Sequence, residues 1–149
     1  MNVEEMYQEI ILDHYREKHH SGLREPFGAE VHHVNPSCGD ELTLRVQLAG
    51  DTIEDVSYHA EGCSISQAST SVMTDLVIGR SITDSMALHD EFLEMMNSKG
   101  RMEPDEDRFE DAIAFAGVSQ FPARVKCALL GWSALKDAIL RQSDTPQEA

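Results

Sequence analysis

The sequence predicts an α+β fold, a small antiparallel sheet of about three strands packed against several helices. Three observations lead there. Leu42, Leu44, Val46 and Leu48 alternate with Thr43, Arg45 and Gln47, the period of a strand with one buried face. Val56, Tyr58 and Ala60 alternate in the same way with Asp55, Ser57 and His59 beyond the turn Ala49-Gly50-Asp51-Thr52, so the two runs read as a hairpin. After Gly62 the apolar spacing becomes helical, and strands followed by helices is α+β order.

The elements follow in chain order. Val3, Met6, Tyr7, Ile10, Ile11 and His14 make one helical stripe over residues 3–17. Residues 18–28, with Gly22, Pro26 and Gly28, are a connector, and 29–34 a short strand before the hairpin. Ile65, Ala68, Val72 and Leu76 mark a helix to about Gly79. Leu88, Phe92 and Met95 or Met96 mark another over 83–97. The polar stretch 98–108 precedes a short helix near 109–116. Pro122 then opens a last helix, with Val125, Leu129, Trp132, Leu135 and Ile139 on its apolar face and Gly131, Ala134 and Ala138 on a small-residue face. The tail from Ser143 is polar and expected to be loose.

With 149 residues, 41% of them apolar, the chain reads as one domain, 1–149, with one core. Its net charge of −15, with no basic run, argues against nucleic acid as a partner. The acidic start Met1-Asn2-Val3-Glu4-Glu5 lacks a signal-peptide pattern, and no apolar stretch is long enough to span a bilayer, so a cytoplasmic location away from membranes is expected.

The three cysteines, Cys38, Cys63 and Cys127, cannot all pair within one chain. Metal ligation, a reactive thiol, or three unrelated buried residues remain open. The hairpin bears on the choice. If it turns about the Gly50–Asp51 bond, Glu41 faces Ala60 and Cys38 lies opposite Cys63, so Cys38 and Asp40 share a sheet edge with Cys63. Each cysteine also stands at a junction: Cys38 in a turn-rich loop, Cys63 at a helix start, Cys127 in the first turns after Pro122. Thiols near helix N-termini have lowered pKa values, which favours the metal-binding thiolate. Three thiolates and a carboxylate would complete a tetrahedral set for zinc. On spacing alone, however, Asp40 reads as a turn or cap residue.

Among the histidines, His59 is the best alternative ligand, four residues before Cys63. His32 and His33 are strand neighbours and point to opposite faces. His19 and His20 read as solvated, and His14 as a helix-face residue near the core. The acidic stretch Glu103 to Asp111 does not have calcium-loop spacing, and no phosphate-binding glycine motif is present.

Three blocks then stand together: Asn35-Pro36-Ser37-Cys38-Gly39-Asp40, Gly62-Cys63-Ser64-Ile65-Ser66-Gln67-Ala68-Ser69, and Phe121-Pro122-Ala123-Arg124-Val125-Lys126-Cys127-Ala128. In this order they resemble the signature of SufU proteins, within the IscU/NifU-like iron–sulfur assembly superfamily. The resemblance runs from about Tyr7 to about Leu140. The scaffold type, IscU, carries a histidine directly before its third cysteine, where this chain has Lys126, and its segment between the second and third cysteines looks shorter. The resemblance implies an IscU-like fold and a zinc-dependent sulfurtransferase. It implies zinc on Cys38, Asp40, Cys63 and Cys127, sulfur acceptance by Cys38, and Arg124 beside the site. It further implies a SufS-type cysteine desulfurase as sulfur donor, one of whose histidines displaces Cys38 from zinc, and a SufBCD-type complex downstream. The alternative it leaves is an IscU-type scaffold for a transient iron–sulfur cluster. After Asp13-His14-Tyr15 the chain departs from the family pattern, with Lys18-His19-His20 in place of a proline with basic and amide neighbours.

Overall fold

The computed structural model describes residues 2–144. Helix α1 spans Val3–Glu17, strands β1, β2 and β3 span Ala29–Asn35, Asp40–Ala49 and Thr52–Glu61, and helices α2 and α3 span Ser64–Val77 and Ile82–Met96. A one-turn helix α4, Glu106–Phe109, leads into 3-10 turns over Glu110–Ala116 and Val118–Gln120, where the sequence suggested a single short helix. Helix α5 runs from Pro122 to Asp144, so Ser143 and Asp144 are helical rather than loose. The rest of the expected tail lies outside the described residues.

The sheet is antiparallel in the order β1-β2-β3. Next to the turn, Ala49 pairs with Thr52 and Leu48 with Ile53, the register expected of a turn about Gly50–Asp51. A bulge then shifts the ladder: Gln47 pairs with Asp55, leaving Glu54 as the extra residue. Glu41 therefore faces Glu61, and Ala60 faces Leu42. The alternation pattern carried no sign of this insertion, because Glu54 lies between the turn and the first alternating residue of β3.

Along β2 the buried residues are Asp40, Leu42, Leu44 and Val46. This inward face meets α5, and α5 packs in turn on α2. Helix α2 is buried almost all round, although its sequence is rich in serine and threonine. Its short hydroxyls are satisfied locally or by a neighbour: Thr70 donates to the Ser66 carbonyl (2.8 Å), Thr74 to that of Ser71 (2.7 Å), and Ser69 to that of Ala128 in α5 (2.6 Å). Small side chains let α5 approach closely. A Cβ on Gly131 would overlap Thr70 Oγ1 and crowd its Cβ at 3.1 Å. On α5, Trp132 stacks on Phe92 of α3 with ring centroids 4.8 Å apart, closing the core from the far side.

Gly131→Ala should therefore destabilise the protein by about 1–3 kcal/mol despite the better helix propensity of alanine. Urea denaturation should show that loss, and adding Thr70→Ala should recover part of it.

Candidate metal centre

The three cysteine-bearing blocks converge at one end of the sheet. Residues Pro36–Gly39 turn the chain from β1 into β2, with the Cys38 amide donating to the Asn35 carbonyl (3.2 Å). The Cys38 side chain is exposed at the tip of this turn. Asp40 opens β2 on the inward face and is fully buried. Its Oδ1 accepts the backbone N–H of Cys63 at 2.8 Å, and the Cys63 thiol lies 3.7 Å from Oδ2.

Cys63 occupies the cap position of α2, where Ser, Thr, Asp or Asn is usual, and its side chain makes no capping bond. The thiol is left for other work. Gly62, just before it, adopts φ +136°, and a Cβ there would overlap the Asp40 carboxylate. Only glycine lets the two chain segments close to this distance.

Cys127 stands in the second turn of α5 and is buried. Its Sγ lies 3.0 Å from Cys38 Sγ, 3.8 Å from Asn35 Nδ2, which donates toward it, and 3.9 Å from the Ala123 carbonyl. The ligand atoms of Cys38, Asp40 and Cys127 all lie within 4.8 Å of one another. Cys63 joins them through Asp40.

Electrostatically the site has a deficit of positive charge. Asp40 is completely buried yet makes no ion pair among the described residues. Burial pushes the Cys127 thiol well above its ordinary range, and Cys38, Asp40 and Cys63 push it the same way. This reverses the expectation from the helix dipole: Cys127 sits a turn inside α5, where desolvation outweighs the dipole. A buried carboxylate crowded by thiols is costly without a cation and favourable with one. Three soft sulfur donors and one oxygen match the donor chemistry of zinc.

The remaining sequence candidates divide. Arg124 is exposed on the first turn of α5. It follows Ala123, whose carbonyl is 4.0 Å from Cys38 Sγ. Arg124 lines a groove with Tyr7, Leu12 and Phe121 and hydrogen-bonds none of the four donors. His59 is not a ligand candidate here. It stands on the outer face of β3 beside Glu61 (3.5 Å), facing Thr43 rather than the cysteines. His32 and His33 do point apart, to Glu41 (2.9 Å) and Asp137 (2.9 Å). Two residues that sequence reasoning passed over, Asn35 and Gly62, shape the site. The only sequence signal for either was its place in a cysteine-bearing block.

A three-stranded antiparallel sheet backed by helices, with three thiols and a buried carboxylate converging at one sheet end, defines an α+β protein with a cluster of potential metal ligands. The chain matches the NifU-like N terminal domain family over residues 6–128 and belongs to it. It is 42% identical over 139 residues to the iron–sulfur cluster assembly scaffold protein IscU of Streptococcus pyogenes serotype M1, covering 93% of this chain and 86% of the relative. It is 37% identical over 142 residues to the zinc-dependent sulfurtransferase SufU of Bacillus subtilis, covering 95% and 94%. A structure from Fervidobacterium islandicum AW-1, described as a candidate iron–sulfur cluster assembly scaffold for the SUF system, superposes with a TM-score of 0.81 at 36% identity. That match covers 93% of this chain and 99% of that one. The relatives are iron–sulfur cluster assembly proteins of both the SufU and IscU kinds, and no described helix is long and apolar enough to cross a membrane.

In metal-free protein, Cys38 should react first with iodoacetamide near pH 8 and Cys127 last, by tenfold or more in rate. Peptide mapping by mass spectrometry reads the order directly.

Proposed function

We propose that this chain is a zinc-dependent sulfurtransferase that accepts sulfur from the persulfide of a SufS-type cysteine desulfurase. It passes that sulfur on for iron–sulfur cluster assembly, to a SufBCD-type complex in the cytoplasm. The observation that carries this reading is the inequality of the three cysteines. Cys63 and Cys127 are anchored on helices and shielded, whereas Cys38 is exposed on a turn.

In this reading Cys38, Asp40, Cys63 and Cys127 hold the zinc. When bound, the ion supplies deprotonation of the thiols at neutral pH and protection from oxidation. Asp40, a harder donor than thiolate, keeps the set exchangeable. Cys38 is the acceptor. Its thiolate attacks the outer sulfur of the donor persulfide. A new S–S bond forms on Cys38 as the donor's S–S bond breaks, and the donor departs as a thiolate, so no net oxidation or reduction occurs. The turn that carries Cys38 has room to move, since a Cβ on Gly39 would meet nothing within 4 Å. Arg124 is a positioning residue: a cation near Cys38 favours approach of an anionic persulfide to a chain of net charge −15.

A cluster scaffold is the second reading, favoured by the name of the Streptococcus relative. Lys126 weighs against it, because this exposed residue precedes Cys127 and an ammonium offers a cluster no lone pair.

The deciding experiment is turnover of a cysteine desulfurase, read as alanine and sulfide under reductant, with and without the zinc-loaded protein. Large stimulation is expected, lost on zinc removal and in Cys38→Ala, while that variant keeps much of its zinc. Absence of stimulation, with iron and labile sulfide bound after anaerobic purification, would establish the scaffold reading instead. Arg124→Ala should lower stimulation roughly tenfold, about 1.4 kcal/mol, without releasing zinc.

A further inference from the structure

A second group of donors lies away from the cysteines, where the C-terminal end of α1 meets α2. His14 and His19 face each other with ring centroids 4.6 Å apart. One ring nitrogen of each and a carboxylate oxygen of Asp75 lie within 4.8 Å of one another. Asp75 is twelve residues beyond Cys63 on the same helix, which at 1.5 Å per residue is about 18 Å away.

We propose that His14, His19 and Asp75 form a second site, for a divalent transition cation of the zinc or ferrous class. Two imidazoles and one carboxylate, with remaining positions open to water, are the donor composition that both ions accept.

The surroundings support ligation rather than a solvated histidine patch. Metal-binding imidazoles usually direct the other ring nitrogen to a carboxylate, which sets the tautomer and the ring orientation. Both rings are arranged so. His14 Nε2 lies 2.8 Å from Asp111 and His19 Nε2 lies 2.6 Å from Glu17. An ionised carboxylate only accepts, so each Nε2 carries a proton; without an ion the His19 Nδ1, which also lies on a carboxylate, carries one too, and a bound cation would displace it. His14 Nδ1 is 2.8 Å from Ser71 Oγ, and His19 Nδ1 is 2.5 Å from Asp75 Oδ2. His14 is itself buried, at 4% exposure, so the site has a fixed inner wall and a solvent-facing side formed by Asp75.

An orphan polar atom lies in the same place. Tyr58 is 1% exposed and its hydroxyl has no hydrogen-bond partner. Burial pushes its pKa up to about 12, Ser71 opposes that shift, and the Asp75 charge adds to it. An ion with bound water at Asp75 would give this hydroxyl a partner.

The test is zinc titration of the full chain by calorimetry, with metal content counted by elemental analysis. Two equivalents are expected. Cobalt substitution distinguishes them, because only the cysteine centre gives thiolate-to-metal charge-transfer absorption. His19→Ala and Asp75→Asn, both at part-exposed side chains, should lose the second equivalent and keep the first. Glu17→Gln should weaken the second roughly 10–100-fold. Cys63→Ser should spare the second, so the two centres stand or fall separately. A single equivalent in the unaltered protein, or a second that survives both His19→Ala and Asp75→Asn, would overturn the proposal.

Discussion

The bond from the Cys63 amide to the Asp40 carboxylate joins the first residue of β2 to the residue that caps α2. It links the sheet layer to the helix layer at the point where the chemistry is placed. Its geometry demands that Asp40 be buried, that Gly62 lack a side chain, and that α2 begin where β3 ends. A buried carboxylate satisfied by one amide and crowded by thiols remains short of positive charge. The fold thus holds in place a cluster whose unfavourable electrostatics a cation would relieve, and under the proposed function folding and metal binding would be coupled through this one carboxylate.

Helix α2 transmits that constraint. Buried on nearly every side, it contacts α1, α5, β3 and the 3-10 turn after α4. Short hydroxylated side chains let it be so crowded, because they bond back to their own helix and leave space for neighbours such as Gly131. The Ser69 hydroxyl reaches the carbonyl of Ala128, next to Cys127, so the position of the third cysteine is set from the same helix that Cys63 caps. At its other end α2 supplies Ser71 and Asp75 to the histidine cluster. One helix therefore connects both groups of donors, though they are far enough apart for their chemistry to be independent.

The contrast among the cysteines follows from where their segments can move. Residues on α2 and α5 are held by hydrogen bonds along a helix and by packing on both sides. A turn residue with open space beside it costs little to displace. A group that must carry an atom between partners belongs on the second kind of segment, and the groups that keep the site assembled belong on the first.

Much of this was legible in the residues alone. Alternation in β2 and β3 and helical spacing after Gly62 specify the fold class, since burial of one face imposes those periods. Alternation also sends His32 and His33 to opposite faces, as found. Carried back two residues, the β2 pattern puts Asp40 on the inward face, a signal that the turn-like sequence around it masked. Other features depend on contacts between distant segments. The bulge at Glu54 leaves no mark in the alternation, and the raised thiol of Cys127 reflects burial and its neighbours Cys38, Asp40 and Cys63 rather than its place in its own helix. The pairing of His19 with Asp75 joins positions 56 residues apart. Sequence by itself determined the periods, the elements and the junction positions of the cysteines, because these are local consequences of side-chain spacing. The hairpin register already brought Cys38 and Asp40 to the edge that Cys63 shares. That Cys127 joins them, how deeply each donor is buried and which cysteine stays exposed were decided only by tertiary structure, because desolvation and close approach depend on segments that packing brings together from distant parts of the chain.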